Sequence, residues 1–433
     1  MHPRLLIVGT VPYDTKESSR AFDAYFHFWE RENIAQIFSN TKKPGKGHCG
    51  TLYQITDRSI LNCWLHKNNE TGKIFYYDDL CQDGKNVSEA QSNMMNKAYK
   101  FGRKHTPVTH LLRGILWRKK YWCTNKLNRW LDEFQPECVF LAFSDDFFIN
   151  KIALYVAERY QIPIVSCIGD DYYFNKHFSL NPFYQIYKES YRAVIRKIFR
   201  HSGSAIYISD KIRDKYNSEF DLSGETVYLT STVSRRKFSP VNTEKPLITY
   251  FGNIRMGRND SLCDIADALG KINPEYKIEV YSNEADENIY AGLKENPHVV
   301  YGGSIPYREV QEKMRASDVT VIVEGFKKKD IELSRYSLST KAADALASGV
   351  AILTYGSNEC GIVEYMKNTY ASAVCSNRKE LKECIEHLIY DTELQEKFYK
   401  QQIVMTEEHH NIKKSCIISE NVINNAIQKG RKY

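Results

Sequence analysis

The chain has 433 residues, 42% of them apolar, and a formal net charge of +7. This length and apolar content allow two separate hydrophobic cores. The eleven cysteines are scattered without a C-x-x-C pair, so neither a disulfide framework nor a zinc ribbon is indicated. Since no signal peptide and no run of 18 uncharged apolar residues occurs, we expect a cytoplasmic protein that does not span a membrane.

The N-terminal segment predicts a Rossmann-like opening. Leu5 to Val8 form a short apolar strand that breaks at Gly9, and Ser18 to Glu32 have the apolar spacing of a helix. The loop between them places Gly9, Thr10 and Arg20 where a ligand can approach. A simple strand–helix turn without a ligand explains the same pattern.

A strand–helix–strand pattern follows in the second quarter of the chain. Asp145 and Asp146 come directly after its first strand, and Asp170 and Asp171 after its second. Such strand ends are the ligand-binding edge of a parallel sheet, although the same aspartates can cap the segments that follow. No D-x-D triplet occurs in the chain, so we expect no metal ion in the site.

The segment from Ala90 to Leu131 is strongly basic. It has ten Lys or Arg, no Asp or Glu, and several aromatic residues. Clustered cations with interleaved aromatics are typical of proteins that bind an anionic membrane surface. A solvated helical face or a nucleic-acid site remains an alternative. We favour the membrane interpretation, in which nucleic acid is not a partner. The residues expected to contact the membrane are Trp117, Arg118, Lys119, Lys120 and Trp122.

The stretch from Ser337 to Thr354 predicts a capped helix that leads into an apolar strand. Ser339 and Thr340 can cap the helix, Lys341 and Asp344 lie on roughly one face, and Gly349 ends it. A helix N-terminus attracts phosphate, although ordinary packing can produce the same pattern.

Two upstream segments strengthen the phosphate interpretation. Val319 to Val323 form a β-branched strand that ends at Glu324, and Pro246 to Arg258 form a strand and a turn that carries Arg255 and Arg258. Guanidinium groups form charge-assisted hydrogen bonds with phosphate oxygens.

These features, in this order, resemble the C-terminal half of GT-B glycosyltransferases, specifically the retaining family 4 type. That family has a glycine–arginine turn, an acidic strand end and a K-x-x-E-x-x-A-x-G helix. Lys341, Asp344 and Gly349 fall on the helix motif, and Arg258 falls on the family lysine. The chain departs from the family at Asn253, which stands in place of the arginine, and at Tyr336, which stands in place of an acid that Glu324 or Glu332 can supply.

The resemblance covers residues 230 to 430 well, and the first half only in architecture. TSTVSRRKFSP, Thr230 to Pro240, is similar to the family's interdomain segment, and Tyr301 to Val323 to a segment whose loop closes over the nucleotide base. It implies an α/β GT-B fold, with two Rossmann-like domains facing each other across a cleft. We expect an acceptor domain at 1–230, a linker at 231–246, a donor domain at 247–409 and a last helix, about 410–433, that returns to the first domain.

The resemblance also implies roles for single residues. The donor diphosphate is assigned to Arg255, Arg258, Thr340 and Lys341, the ribose to Asp344, and the sugar and base to Glu324, Ser339 and Ile305. The acceptor side is assigned to Gly9, Thr10, Arg20 and Asp145, and catalysis to Asp170, Arg258 and Lys341.

The implied activity is metal-independent transfer of a sugar, with retention, from a UDP- or GDP-sugar to a glycan or lipid-linked acceptor. The implied setting is the assembly of bacterial surface polysaccharide at the inner face of the cell membrane. No cofactor is expected besides the nucleotide-sugar co-substrate. A nucleotide-sugar epimerase of the same fold, or an inactive nucleotide-binding subunit, is the alternative.

Overall fold

The structure is a computed structural model, and it describes residues 2–13, 19–66, 71–80, 113–174 and 181–430. The chain divides into two compact units. The first unit comprises Met1–Val227 together with Cys416–Tyr433, and the second comprises Tyr228–Ser415.

The first unit is built on a mostly parallel sheet. Within the described residues its strand order is β4-β3-β2-β1-β5-β6-β7-β8, and every neighbouring pair is parallel except β3 with β4. The strands are β1 (Leu5–Gly9), β2 (Ile34–Phe38), β3 (Thr51–Gln54), β4 (Lys73–Tyr76), β5 (Cys138–Ala142), β6 (Ile164–Ile168), β7 (Ser204–Tyr207) and β8 (Ser223–Thr226).

The inner strands β1 and β2 are buried along their whole length, as expected for strands with helices on both faces. All five residues of β1 and of β2 are buried, and Leu5 pairs with Ile34 on one side and with Cys138 on the other. The strand order reverses direction between β1 and β5, so this is the switch point where such a sheet binds ligands.

Helices connect these strands. They are Ser19–Phe26, Asp57–His66, Lys119–Trp122, Asn125–Phe134, Phe147–Tyr160, Pro182–His201 and Asp210–Phe220, with short 3₁₀ turns at Arg31–Asn33 and Tyr77–Asp79. The last helix of the chain, Ile412–Gly430, belongs to this unit from Cys416 onward. Its Cys416 thiol lies 3.3 Å from the carbonyl oxygen of Asp23.

The second unit contains a fully parallel sheet. Its order is β11-β10-β9-β12-β13-β14, which in chain order is the doubly wound 3-2-1-4-5-6 arrangement, so the switch point lies between β9 and β12. The strands are β9 (Ile248–Phe251), β10 (Ile278–Tyr281), β11 (Val299–Gly303), β12 (Val319–Val323), β13 (Ala351–Tyr355) and β14 (Ala373–Cys375).

The helices of the second unit are Arg258–Ile272, Glu287–Glu295, Tyr307–Ala316, Lys328–Ser334, Thr340–Ser348, Gly361–Thr369, Leu381–Tyr390 and Thr392–Glu408. The helix Arg258–Ile272 buries Leu262, Ile265 and Leu269 against strand residues such as Val280 and Val321. This core fixes the start of the helix at the carboxyl edge of the sheet.

The predicted strands and helices are largely present, with one difference in length. The helix expected from Ser18 to Glu32 ends at Phe26, whereas the last helix, expected at about 410–433, is present as Ile412–Gly430. Among the residues that the structure describes, no helix is both long enough and apolar enough to cross a bilayer.

Candidate functional site

The switch point of the second sheet brings two strand ends and two helix starts together. Gly252 follows β9 and Glu324 follows β12. The helix Arg258–Ile272 and the helix Thr340–Ser348 begin beside these strand ends, because Arg258 contacts Glu324 and Lys341 contacts β9. Helix N-termini carry partial positive charge and unpaired N–H groups, so this edge favours an anion.

Arg258 and Glu324 form a buried, bidentate ion pair. Nε of Arg258 donates to Glu324 at 3.1 Å and an Nη at 2.9 Å. Their side chains are only 11% and 4% exposed. Burial acts to lower the pKa of Arg258, but the Glu324 charge and hydrogen bonds outweigh it and raise that pKa. The guanidinium therefore stays charged, and its partner holds it in a fixed orientation.

Lys341 packs against the end of β9. Its Nζ donates to the hydroxyl of Tyr250 at 3.0 Å and lies 4.7 Å from the centre of the Tyr250 ring. Burial, followed by the nearby charge of Arg258, lowers the pKa of Lys341 to about 7. The site thus contains two cations within electrostatic reach of each other, one of which readily loses its proton.

Gly252 is the residue that makes room for Lys341. Its φ is +128°, and a Cβ built on it would lie 2.2 Å from Cε and 2.5 Å from Nζ of Lys341. Only glycine combines this backbone conformation with such a close approach.

The helix that carries Lys341 has the ends that the sequence predicts. Ser339 is its N-cap and accepts a hydrogen bond from the Lys341 N–H at 3.4 Å, and Gly349 ends it in the left-handed conformation. Thr340, the first helical residue, is exposed. The Thr340 hydroxyl is therefore placed at the positive end of the helix.

Asp344 lies one turn further along the same helix and is 4% exposed. Its Oδ1 accepts a hydrogen bond from Ser231 Oγ at 2.6 Å, and the Tyr307 hydroxyl lies 3.2 Å from each of its carboxylate oxygens. The carboxylate that the sequence assigned to ribose is thus already bonded to hydroxyl groups, which is the chemistry a ribose would supply.

Arg255 is not brought together with Lys341 and Arg258. Its guanidinium is 53% exposed and forms a bidentate pair with Glu284, with both distances 2.7 Å. The turn that follows it has positive φ at Met256 (59°) and Gly257 (72°), the pattern of a type I′ turn. This turn directs Arg258 toward Glu324 and leaves Arg255 on the Glu284 side.

The remaining residues that the sequence analysis assigned to the donor, and the two candidate acids, occupy different surroundings. Ile305 packs against a small cluster of Phe251, Tyr281 and Met314 beside the end of β9. Tyr336 is partly buried and Glu332 is exposed, whereas Glu324 forms an ion pair with Arg258. Of the two acids considered as replacements at Tyr336, Glu324 is the one located at the switch point.

Three of the four residues that the sequence analysis assigned to the acceptor lie at the switch point of the first sheet. Gly9 ends β1, and the carbonyl of Thr10 accepts hydrogen bonds from Ser39 and Asn40. Asp145 follows β5 and is partly buried. Arg20 lies in the helix Ser19–Phe26, but its side chain is outside the described residues.

The aspartates after β5 and β6 differ in whether their side chains hold local structure or are exposed. Asp146 pairs with Arg113 at 2.6 Å, and Asp171 accepts hydrogen bonds from the Phe174 N–H and the Tyr216 hydroxyl. These two therefore hold local structure. Asp170 is exposed, with the Tyr172 hydroxyl 3.5 Å from its Oδ2.

The structure corrects the membrane assignment of two residues. Trp117 and Trp122 are 1% and 2% exposed, because the Trp117 ring stacks on Phe148 and its Nε1 donates to Asp57. The prediction that these rings lie at a membrane surface is wrong. Arg118, Lys119 and Lys120 are exposed, and the part of the basic segment from 90 to 112 is outside the described residues.

Four residues that contact the predicted site residues of the second unit were not predicted from the sequence. Tyr250, Glu284, Ser231 and Tyr307 each bond to a predicted residue from more than 25 positions away. A sequence pattern gives no signal for such partners, apart from the Tyr in the strand ITYF that ends beside Gly252.

The chain is similar to known proteins in structure and not in sequence. No family model matches the chain, and no curated protein matches it significantly. HepE from Anabaena, solved with UDP-glucose, is 10% identical with a TM-score of 0.59 and covers 98% of this chain and 100% of its own. WaaG, a glycosyltransferase involved in lipopolysaccharide biosynthesis, is 10% identical with a TM-score of 0.55 and covers 96% and 99%.

A third similar structure is S. aureus TarM in complex with UDP, at 12% identity and a TM-score of 0.51. That match covers 68% of this chain and 58% of TarM, so this chain spans less than two thirds of TarM. The matches over nearly the whole chain show that this protein has the GT-B fold, as the resemblance implied.

Proposed function

We propose that this protein is a glycosyltransferase that moves a sugar from a nucleotide-diphosphate sugar, in the first place a UDP-sugar, to a glycan or lipid-linked acceptor. The observation that carries the proposal is the pair of cations at the second switch point. Lys341 and Arg258 lie beside two helix N-termini, and Asp344 lies one turn away. A diphosphate needs the cations, and a ribose needs the carboxylate.

The mechanism follows from where charge develops. Breaking the bond between sugar and phosphate leaves new negative charge on the departing nucleotide diphosphate. Arg258, Lys341 and the N–H groups near Thr340 are fixed before the reaction and stabilise that charge. With retention, the acceptor attacks from the same face and the departing phosphate accepts its proton, so that no protein nucleophile is needed.

Lys341 gains a second role from its lowered pKa. With a pKa of about 7, part of the amine is neutral near neutral pH, and it takes up a proton when the negatively charged diphosphate arrives, because the opposite charge favours the charged form. Arg258, in contrast, is charged throughout and is held ready by Glu324. The site therefore has a permanent positive charge on Arg258 and a second positive charge, on Lys341, that the substrate induces.

The choice of UDP is supported by the structural comparisons. HepE was solved with UDP, with UDP and glucose, and with UDP-glucose, and TarM was solved with UDP. For this chain a GDP-sugar is the alternative donor. On the acceptor side we assign Asp170 to a hydroxyl of the acceptor, since it is exposed at the end of β6.

We also place the protein at the inner face of a bacterial cell membrane, in the assembly of surface polysaccharide. Exposed cations at Arg118, Lys119 and Lys120 support this placement. Phe183 and Ile186 of the helix Pro182–His201 are more than half exposed and add apolar side chains to the surface of the same unit.

The direct test is the turnover of UDP- and GDP-sugars by variants. Lys341→Ala should lower turnover about 10²- to 10³-fold, the usual cost of removing one preorganised donor. Lys271→Ala removes an exposed lysine from the helix Arg258–Ile272 and is the matched control. Near-normal turnover in Lys341→Ala would contradict the proposal.

The same assay separates the rival functions. An epimerase would convert the nucleotide sugar to a new sugar isomer without any acceptor, whereas a transferase gives at most slow hydrolysis. An inactive subunit would bind UDP and turn over no donor with any acceptor.

A further inference from the structure

The carboxylate of Asp344 is covered in this structure. It is 4% exposed, with Ser231 Oγ at 2.6 Å from Oδ1 and the Tyr307 hydroxyl at 3.2 Å from both oxygens. A ribose diol that hydrogen-bonds to both oxygens of Asp344 therefore competes with these hydroxyl groups.

Ser231 is the fixed one of the two. Its Oγ also accepts a hydrogen bond from the Val233 N–H at 3.0 Å, so its hydroxyl is held from both sides. Tyr307 is 43% exposed and is the first residue of the helix Tyr307–Ala316, directly after Pro306. A rotation about its side-chain bonds carries the hydroxyl into solvent without disturbing the helix.

The geometry of the Tyr307 contact is that of a weak, shared bond. One phenol proton faces two oxygens at equal distances of 3.2 Å, longer than the usual O–H···O distance of about 2.7 Å. A vicinal diol has two hydroxyl protons and can give one to each oxygen. The diol therefore satisfies the carboxylate better than the tyrosine does.

We propose that Tyr307 occupies the position of the ribose diol in the nucleotide-free protein, and that the donor nucleotide must displace it. Tyr307 is then a competitor for the ribose position. Its hydroxyl lowers the affinity for a nucleotide that bears both ribose hydroxyls and has no effect on one that lacks them. This inference rests on the proposed function, because it requires a nucleoside diphosphate at this site.

The test is the binding of UDP and of 2′,3′-dideoxy-UDP, measured by titration calorimetry. Tyr307→Phe keeps the ring and removes the competing hydroxyl, so UDP should bind about three- to tenfold more tightly. The dideoxy compound should bind the variant and the wild type equally, because it has no hydroxyl to offer Asp344. Tyr301→Phe removes a buried hydroxyl from β11 and should change neither affinity.

Several results would overturn the inference. Unchanged or weaker UDP binding in Tyr307→Phe would mean that Tyr307 orients Asp344 or contacts the nucleotide itself. Wild-type affinity for UDP in Asp344→Asn would place the ribose elsewhere. In either case, loss of UDP binding in Lys341→Ala would leave the proposed function standing, whereas a wild-type protein that binds neither UDP nor GDP would overturn both.

Discussion

Lys341 makes the site sensitive to pH. Its pKa of about 7 in the ligand-free protein lies below the ordinary value of 10.5. Between about pH 7 and pH 10.5 the unfolded chain keeps the proton on this amine and the folded chain loses it. The free-energy cost that burying Lys341 adds to folding therefore falls as the pH rises through this range. Diphosphate binding has the opposite dependence, since it requires the charged amine.

We therefore expect UDP affinity to fall as the pH rises above about 7, and UDP binding at pH 8 to take up a proton. Calorimetry in two buffers of different ionisation enthalpy measures that uptake, because the observed binding enthalpy then differs between them. Lys341→Arg is the control, since an arginine is already charged and takes up no proton. Identical enthalpies for the wild type in both buffers would contradict a neutral Lys341.

Gly252 supplies a second prediction. Gly252→Ala places a methyl group within 2.2 Å of Lys341 Cε at a φ of +128°, so the lysine must move. We expect a loss of donor turnover comparable to that of Lys341→Ala, together with a lower melting temperature from the backbone strain.

The matched control for Gly252 is Gly292→Ala. Gly292 lies inside the helix Glu287–Glu295 and a Cβ there meets nothing within 4 Å. That variant should be as active as the wild type and more stable by about 0.5–1 kcal/mol. Full activity in Gly252→Ala would show that the position of Lys341 is not critical.

The ion pair between Arg258 and Glu324 joins the helix Arg258–Ile272 to the end of β12. Removal of Arg258 alone leaves a carboxylate that is 4% exposed without its partner, at a cost of about 3–5 kcal/mol in the free energy of unfolding. Arg258→Met should therefore lower both stability and turnover. The double variant Arg258→Met, Glu324→Leu replaces the pair by apolar side chains.

We expect the double variant to recover most of the lost stability and none of the turnover. Urea denaturation and a donor-turnover assay on the three proteins measure the two quantities separately. A double variant that is as unstable as Arg258→Met would mean that the pair holds the fold by more than its charges. Recovery of turnover would remove Arg258 from the catalytic machinery.

Elements with a strong local signal could be predicted from the sequence. The strand Val319–Val323 and the helix Thr340–Ser348 with its Ser339 cap and Gly349 stop are present as expected. Their residues determine them locally, through β-branched side chains, a capping hydroxyl and a glycine with positive φ.

Long-range partners could not be predicted. The sequence indicated Arg255 as a diphosphate ligand, but only the fold reveals that Glu284, on the loop after β10, pairs with it. Trp117 and Trp122 illustrate the same limit. Basic and aromatic composition predicts a surface, whereas burial depends on which face of the segment meets Phe148 and Tyr155.

At the scale of the whole molecule, we propose a second interface, with an anionic membrane surface. Replacing Arg118, Lys119 and Lys120 with Glu should release the protein from anionic vesicles, because each cation near such a surface contributes about 1 kcal/mol. Sedimentation with phosphatidylglycerol vesicles measures this, with phosphatidylcholine vesicles as the uncharged comparison. Turnover of a water-soluble acceptor should be unchanged.

The matched control reverses three exposed charges in the other unit, at Lys379, Lys397 and Lys400. If this control is released as readily as the variant in the first unit, binding reflects net charge and no defined surface. Equal sedimentation of the wild type and the variant in the first unit would contradict the membrane placement.

In the proposed function, the second unit holds a departing diphosphate with Lys341 and Arg258. A crystal structure of the protein with UDP tests this arrangement. We expect both phosphates at the switch point between β9 and β12, within hydrogen-bonding distance of Lys341 Nζ and the Arg258 guanidinium. A diphosphate bound elsewhere, with neither side chain touching it, would overturn the role of both cations.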